Sequence, residues 1–304
     1  MRHLVLGLDG LGSESLQALH MPGLESLLEA GHTANPSVDI VGSRGWPEFY
    51  SGQTADSTGA YYQIPVMSKG RITASQQTGY TVVRNHVGDE ALLWSRLKAY
   101  GHSVGVFGIP TVSEVLPTPE FTFPATGAGL FSSSMTDSPV FPPSALRFSK
   151  YSSNKLGFRI GRGAYLPSSS DDLERWLRDH IAQFFATLRL FLANHPVDSL
   201  IAGSGFFKLF YKFRHVFQDS ATDQDRKVAA MLQSVAKDFD SLLTDFVENL
   251  DAEHIFVVSD HGIGRLDYQV NINELLRRVK LIGYRPLSYR MARWGYLSTV
   301  GKIT

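Results

Sequence analysis

The sequence predicts a doubly wound α/β domain: a mostly parallel sheet with helices on both faces. Two observations predict it. Short apolar runs such as His3-Leu-Val-Leu-Gly-Leu8 and Ile255-Phe-Val-Val258 end in turns rich in Asp, His and Gly. Helical stretches separate these runs, and the alternation of strand and helix continues along the chain, as crossover connections between parallel strands require. With 304 residues, 43% of them hydrophobic, the chain can bury a sizeable core. We therefore expect one domain over 1–304, with irregular insertions near 53–88 and 111–169.

Taken in order, residues 3–9 read as a buried strand ending in Asp9-Gly10. Pro22–Gly31 reads as a short helix, with Pro22 in its first turn, Leu24, Leu27 and Leu28 on one face, and Gly31 as its stop. An extended piece is expected at 33–41, then a Gly/Ser turn, Gly42-Ser43-Arg44-Gly45, and a helix start at Trp46. Residues 53–88 are polar and rich in Gly, Ser and Thr, which suggests loops with short strands. Asp89–Tyr100 reads as a helix closed by Gly101, followed by a strand over 103–109 that Pro110 ends. Residues 111–169, proline- and serine-rich, read as a long excursion over the carboxyl edge of the sheet.

Ser169 and Asp172 suggest a capping box for a long helix carrying Leu173, Trp176, Leu177, Ile181, Phe184, Phe185, Leu188 and Phe191. A strand at 198–202 and a second long helix at about 225–250 follow, the latter with apolar residues at helical spacing. The run at 255–258 is apolar enough for a central strand buried on both faces.

Ser259-Asp260-His261-Gly262 then places a carboxylate and an imidazole side by side at a strand's carboxyl end, where open α/β sheets bind their ligands. An oxygen ligand beside a nitrogen ligand suits Zn²⁺ or Mn²⁺ better than Mg²⁺ or Ca²⁺. The alternative is a turn capped by Asp260, with His261 merely packed.

Composition narrows the function classes. Formal net charge is zero, so no overall field favours nucleic acid or a membrane surface. The absence of cysteine excludes disulfides, thiolate metal sites and a cysteine nucleophile. With no signal-peptide pattern before the first strand and no apolar run of membrane-spanning length, a soluble cytoplasmic protein is the expectation. The basic, aromatic tail from Arg277 to Tyr296 reads as a solvated surface.

Four stretches in order resemble one family: Val5-Leu-Gly-Leu-Asp-Gly10, Trp46-Pro-Glu-Phe-Tyr-Ser-Gly52, Trp94–Pro110, and Phe256–Gly262 followed by Asn273-Glu-Leu-Leu276. Together they resemble the alkaline phosphatase superfamily, in its type I phosphodiesterase / nucleotide pyrophosphatase branch. The resemblance implies an alkaline-phosphatase-like fold and a phosphohydrolase or phosphodiesterase acting on a small phosphate ester, a nucleotide among the candidates. It implies zinc, with manganese as the alternative, held by Asp9, Asp260, His261 and a hydroxyl assigned to Ser43, which is also the implied nucleophile. Arg44 is a candidate phosphate contact.

The chain departs from the family at the second metal. Relatives carry Asp-x-x-x-His after the strand expected here at 198–202, whereas this chain has Gly205 and Leu209 at those positions. His215 lies nearby, and no histidine follows His261. One ion rather than two is expected, and the C-terminal part of the family domain is expected to be missing. The alternatives are a catalytically impaired relative that binds one metal or a phosphorylated ligand, and a truncated product of a longer enzyme.

Overall fold

The computed structural model describes residues 1–34, 45–60, 63–68, 71–77, 80–112, 116–123, 170–207, 210, 213–218, 221–262, 275–276 and 278–281. The extended piece expected at 33–41 lies outside them from residue 35 on, as do Ser43, Arg44, Leu209, residues 124–169 and the tail beyond 281. The chain divides into two compact units, residues 1–263 and 264–304. In the second, the Val279 amide donates to the Leu275 carbonyl and the Leu281 amide to the Leu276 carbonyl, a helical pattern. All that follows concerns the first.

Its elements in order are β1 (His3–Leu8), α1 (Ser13–Leu19), α2 (Pro22–Glu29), α3 (Gly45–Ser51), α4 (Ala55–Thr58), β2 (Gln63–Ser68), β3 (Arg71–Gln77), α5 (Tyr80–Val87), α6 (Leu93–Ala99), β4 (Val104–Phe107) and β5 (Phe121–Phe123). Then come α7 (Ser170–Asn194), β6 (Ser199–Ser204), α8 (Asp223–Leu250) and β7 (His254–Val258). Five strands form one sheet in the order β5-β4-β6-β1-β7, every neighbouring pair parallel. β2 and β3 form a separate antiparallel hairpin.

Alternation along the strands divides the core in two, because successive side chains point to opposite faces. Leu4, Leu6 and Leu8 of β1 join Leu200 and Ala202 of β6 in a cluster with α1, α2, α7 and α8. Val5 and Ile201 face the other way, into a cluster with Trp46 and Tyr50 of α3, Tyr80 of α5 and Trp94 of α6. Helices thus cover both faces, as expected of a parallel sheet.

α7 and α8 pack along each other through Phe185, which lies 5.5 Å from Phe239 and 5.8 Å from Phe246 between ring centroids. Ion pairs Arg178–Asp238 and Arg189–Asp245 flank that seam. Thr222 caps α8 in a reciprocal box with Asp225. Asp240 of α8 is 5% exposed and accepts from the amides of Gly23 (2.8 Å) and Leu24 (2.7 Å), so α8 supplies the N-terminal cap of α2.

The structure departs from the sequence reading in three places. Residues 53–88 hold the short strands expected there, as the β2–β3 hairpin, but also two unexpected helices, α4 and α5; Tyr80 and Val83 give α5 a buried face that the polar composition hides. α1 and β5 were also not expected; β5 is three residues long, too short for periodicity to register. The run expected as the central strand, β7, lies at the margin of the sheet among the described residues, with Phe256 51% exposed. Ile255 and Val257 pack on one core and Val258 on the other. Four consecutive apolar residues fit an outer strand as well as an inner one, since hydrophobicity carries no information about how many neighbours a strand has.

Candidate metal centre

The site forms where β1 and β7 end side by side. Their parallel register pairs Val5 with Phe256 and Gly7 with Val258. Continued by two residues, it brings Asp9 level with Asp260 on strands about 4.8 Å apart. Gly10, at φ +83°, turns the chain away immediately after Asp9, and its amide reaches the Asp260 Oδ1 at 3.3 Å. The Asp9 amide donates to the Ser204 carbonyl at 3.0 Å, which fixes the end of β1 against β6 as well.

α3 closes the site from the side. The Trp46 Nε1 donates to the Asp9 Oδ2 at 3.2 Å. Gly45 lies so close to Asp260 that a Cβ there would stand 2.5 Å from the Asp260 Cβ and 2.6 Å from its carbonyl oxygen. His261 follows, its Nε2 3.3 Å from the Asp260 Oδ2 and its Nδ1 3.0 Å from the Gly262 carbonyl. The Ser259 hydroxyl donates to the His261 carbonyl at 2.8 Å, tightening the turn.

One ligand atom each from Asp9, Asp260 and His261 fall within 4.8 Å of one another, and among the described residues this is the only such cluster of three. Asp9 is 1% exposed and the Asp260 side chain 3%, while His261 at 31% leaves the site open to solvent on one side. Two carboxylates buried this closely repel unless positive charge accompanies them. Two oxygens and an imidazole nitrogen are a donor set that fits a zinc- or manganese-type cation, with room for ligands from solvent or substrate.

The other sequence candidates separate from this cluster. Ser43, Arg44 and Leu209 lie outside the described residues. Gly205 is buried directly after β6, where the adjoining Phe206 amide donates to the Ser204 hydroxyl and its ring stacks on Phe239 at 4.2 Å and 8°. Among the described residues, that end of β6 turns Phe206 into the aromatic core and offers no carboxylate or imidazole. His215 lies in a short 3-10 turn, Arg214–Phe217, that precedes α8, with its Nε2 4.0 Å from the Asp225 Oδ1, so it faces the capping region of α8 and not the site. His86 bonds the Val82 carbonyl at 2.8 Å and His102 packs edge-on to His3 at 5.0 Å, both as structural residues.

Sequence reasoning did not identify the roles of Gly45, Trp46 and Gly10. The available signal was the pairing of a glycine with a tryptophan at a helix start, which only a three-dimensional neighbour can interpret.

Among the described residues, no helix is long and apolar enough to cross a membrane. Searches of curated proteins and of solved structures return no match. A family model, type I phosphodiesterase / nucleotide pyrophosphatase, matches residues 3–302, nearly the whole chain, and the motifs it covers include both strand tips that carry Asp9, Asp260 and His261. That family consists of divalent-metal-dependent hydrolases of small phosphate esters. The chain belongs to the type I phosphodiesterase / nucleotide pyrophosphatase family, a branch of the alkaline phosphatase superfamily.

Proposed function

We propose that this chain is a metal-dependent phosphodiesterase or phosphohydrolase that uses one cation, zinc or manganese, and Ser43 as nucleophile. The observation that carries the reading is the convergence of Asp9, Asp260 and His261 at adjacent strand tips, their ligand atoms within 4.8 Å. Asp9 and Asp260 supply anionic oxygens and His261 a neutral nitrogen; Ser43 adds its hydroxyl oxygen. A bound cation would lower the pKa of that hydroxyl and offset charge on the phosphoryl oxygens.

Chain connectivity supports Ser43: it stands two residues before Gly45, which touches Asp260, and two residues span at most about 7 Å. The Ser43 oxygen forms a bond to phosphorus as the ester's leaving oxygen departs. Water then forms the second bond to phosphorus and releases the serine. The substrate class is a phosphate mono- or diester, with nucleotides as candidates. One ion follows from Gly205 and Leu209, which have no ligand atom to offer a second.

Metal analysis of the purified chain tests the first part, with about one equivalent expected. Turnover of bis-p-nitrophenyl phosphate and of the monoester, with Ser43→Ala as comparison, tests the second. Activity unchanged by that substitution removes Ser43 from the mechanism.

The same Gly205 and Leu209 favour a second reading, a relative that holds one cation or a phosphorylated ligand without turnover. It predicts metal uptake with both p-nitrophenyl esters left intact.

A further inference from the structure

We propose that Trp46 is a positioning residue for the metal centre, its indole N–H setting the Asp9 carboxylate while the start of α3 holds the tips of β1 and β7 together. The inference rests on the metal reading above. Trp46 is 3% exposed and Asp9 1%, so their 3.2 Å hydrogen bond is sheltered from water. A bond to one oxygen fixes the plane of the carboxylate and therefore where its other oxygen points. Groups that orient metal ligands in this way tune the affinity of the site without touching the ion.

The ring's own seat is fixed independently of that bond. Gly7 of β1 leaves a notch beneath it: a Cβ there would lie 2.6 Å from the Trp46 Cη2 and 2.8 Å from its Cζ3. The Phe49 ring packs edge-on at 6.0 Å. One residue earlier, Gly45 rests on Asp260. Two consecutive residues of α3 thus meet both aspartates of the cluster, Trp46 at the Asp9 carboxylate and Gly45 at the backbone and Cβ of Asp260.

Packing alone does not account for the bond. The same core contains Trp94, fully buried, whose Nε1 makes no hydrogen bond among the described residues. An indole need not be paired to be accommodated here, so the pairing of Trp46 with a metal-ligand carboxylate marks a role beyond filling space.

The test is calorimetric titration of Zn²⁺ into the metal-stripped full chain, comparing wild type, Trp46→Phe and Trp94→Phe. Both substitutions remove a buried indole and lower thermal stability. Only Trp46→Phe is expected to weaken Zn²⁺ binding, by about 10-fold or more. If Trp46→Phe does not fold, benzothienylalanine at position 46 fills the same space without the N–H and is expected to show the same loss. Zn²⁺ affinity equal to wild type in a folded variant at position 46, or an equal loss in Trp94→Phe, overturns the inference and leaves the metal reading intact. A folded wild-type chain that takes up no Zn²⁺ overturns the metal reading and this inference with it.

Discussion

Replacing Gly45 by alanine isolates the contact between α3 and the tip of β7. The added methyl would sit 2.5 Å from the Asp260 Cβ and 2.6 Å from its Cα and carbonyl oxygen. Carbon atoms in contact normally stand about 3.5–4.0 Å apart, so the two segments must separate by about 1 Å. None of the atoms met is the free end of a flexible side chain, and the interior around them is close-packed, so the strain has no soft outlet.

Overpacking of this kind costs about 1–3 kcal/mol. At about 2–4 °C per kcal/mol for a chain of this order of size, melting falls by about 2–12 °C. The same displacement moves Asp260 relative to Asp9, and under the proposed function a misplacement of about 1 Å is expected to lower turnover by about 100-fold. Differential scanning calorimetry reads the first effect, and Zn²⁺ titration and p-nitrophenyl ester hydrolysis read the second. Gly262→Ala is the control: its nearest neighbour is 3.9 Å away, an ordinary contact, and its melting temperature should match wild type. Gly45→Ala with wild-type melting, Zn²⁺ affinity and turnover would refute the packing argument.

Three further outcomes follow from the structure. Asp240→Ala removes the acceptor of the Gly23 and Leu24 amides and should cost about 2–4 kcal/mol in denaturant unfolding without changing Zn²⁺ affinity. Phe206→Ala, which empties the space stacked on Phe239, should cost about 3–5 kcal/mol; a loss below about 1 kcal/mol would contradict a packed aromatic wall at the end of β6. Stability should also fall on acidification below about pH 6.5. His3 is held below the ordinary imidazole value of 6.5 by burial, then by the neighbouring His102 and His254 and by Arg2, with only Glu253 opposing. His180 is lowered by burial against the pull of the Trp176 carbonyl and Asp179. Both imidazoles accept protons more readily when unfolded, so their contribution is complete above pH 6.5 and is lost as pH falls through the folded values. Melting curves from pH 8 to 5 check this, and His3→Gln should flatten the slope.

Much of the architecture was legible because it depends on local pattern. β1, the two long helices and the strand before Pro110 carry apolar periodicity that few other arrangements can bury. Asp260 and His261 were legible as neighbours at a strand end, and Asp9 as the residue that ends the first strand. Illegible were the features set by contacts between distant segments. Asp240 looks like any polar residue of a long helix until α2 is placed against it. Phe256 looks like core until the strand beside it is counted.

From residue order alone came the α/β class, the ligand types available and the lack of a ligand at Gly205 and Leu209, because each is a property of local chemistry or period. Tertiary structure alone decided that Asp9 stands opposite Asp260, that Gly45 and Trp46 contact them, and that β7 lies at the margin of the sheet among the described residues. The physical reason is that strand pairing and close approach are relations between segments separated by tens to hundreds of residues. No one-dimensional pattern encodes the register that brings two carboxylates across 251 positions of chain into one site.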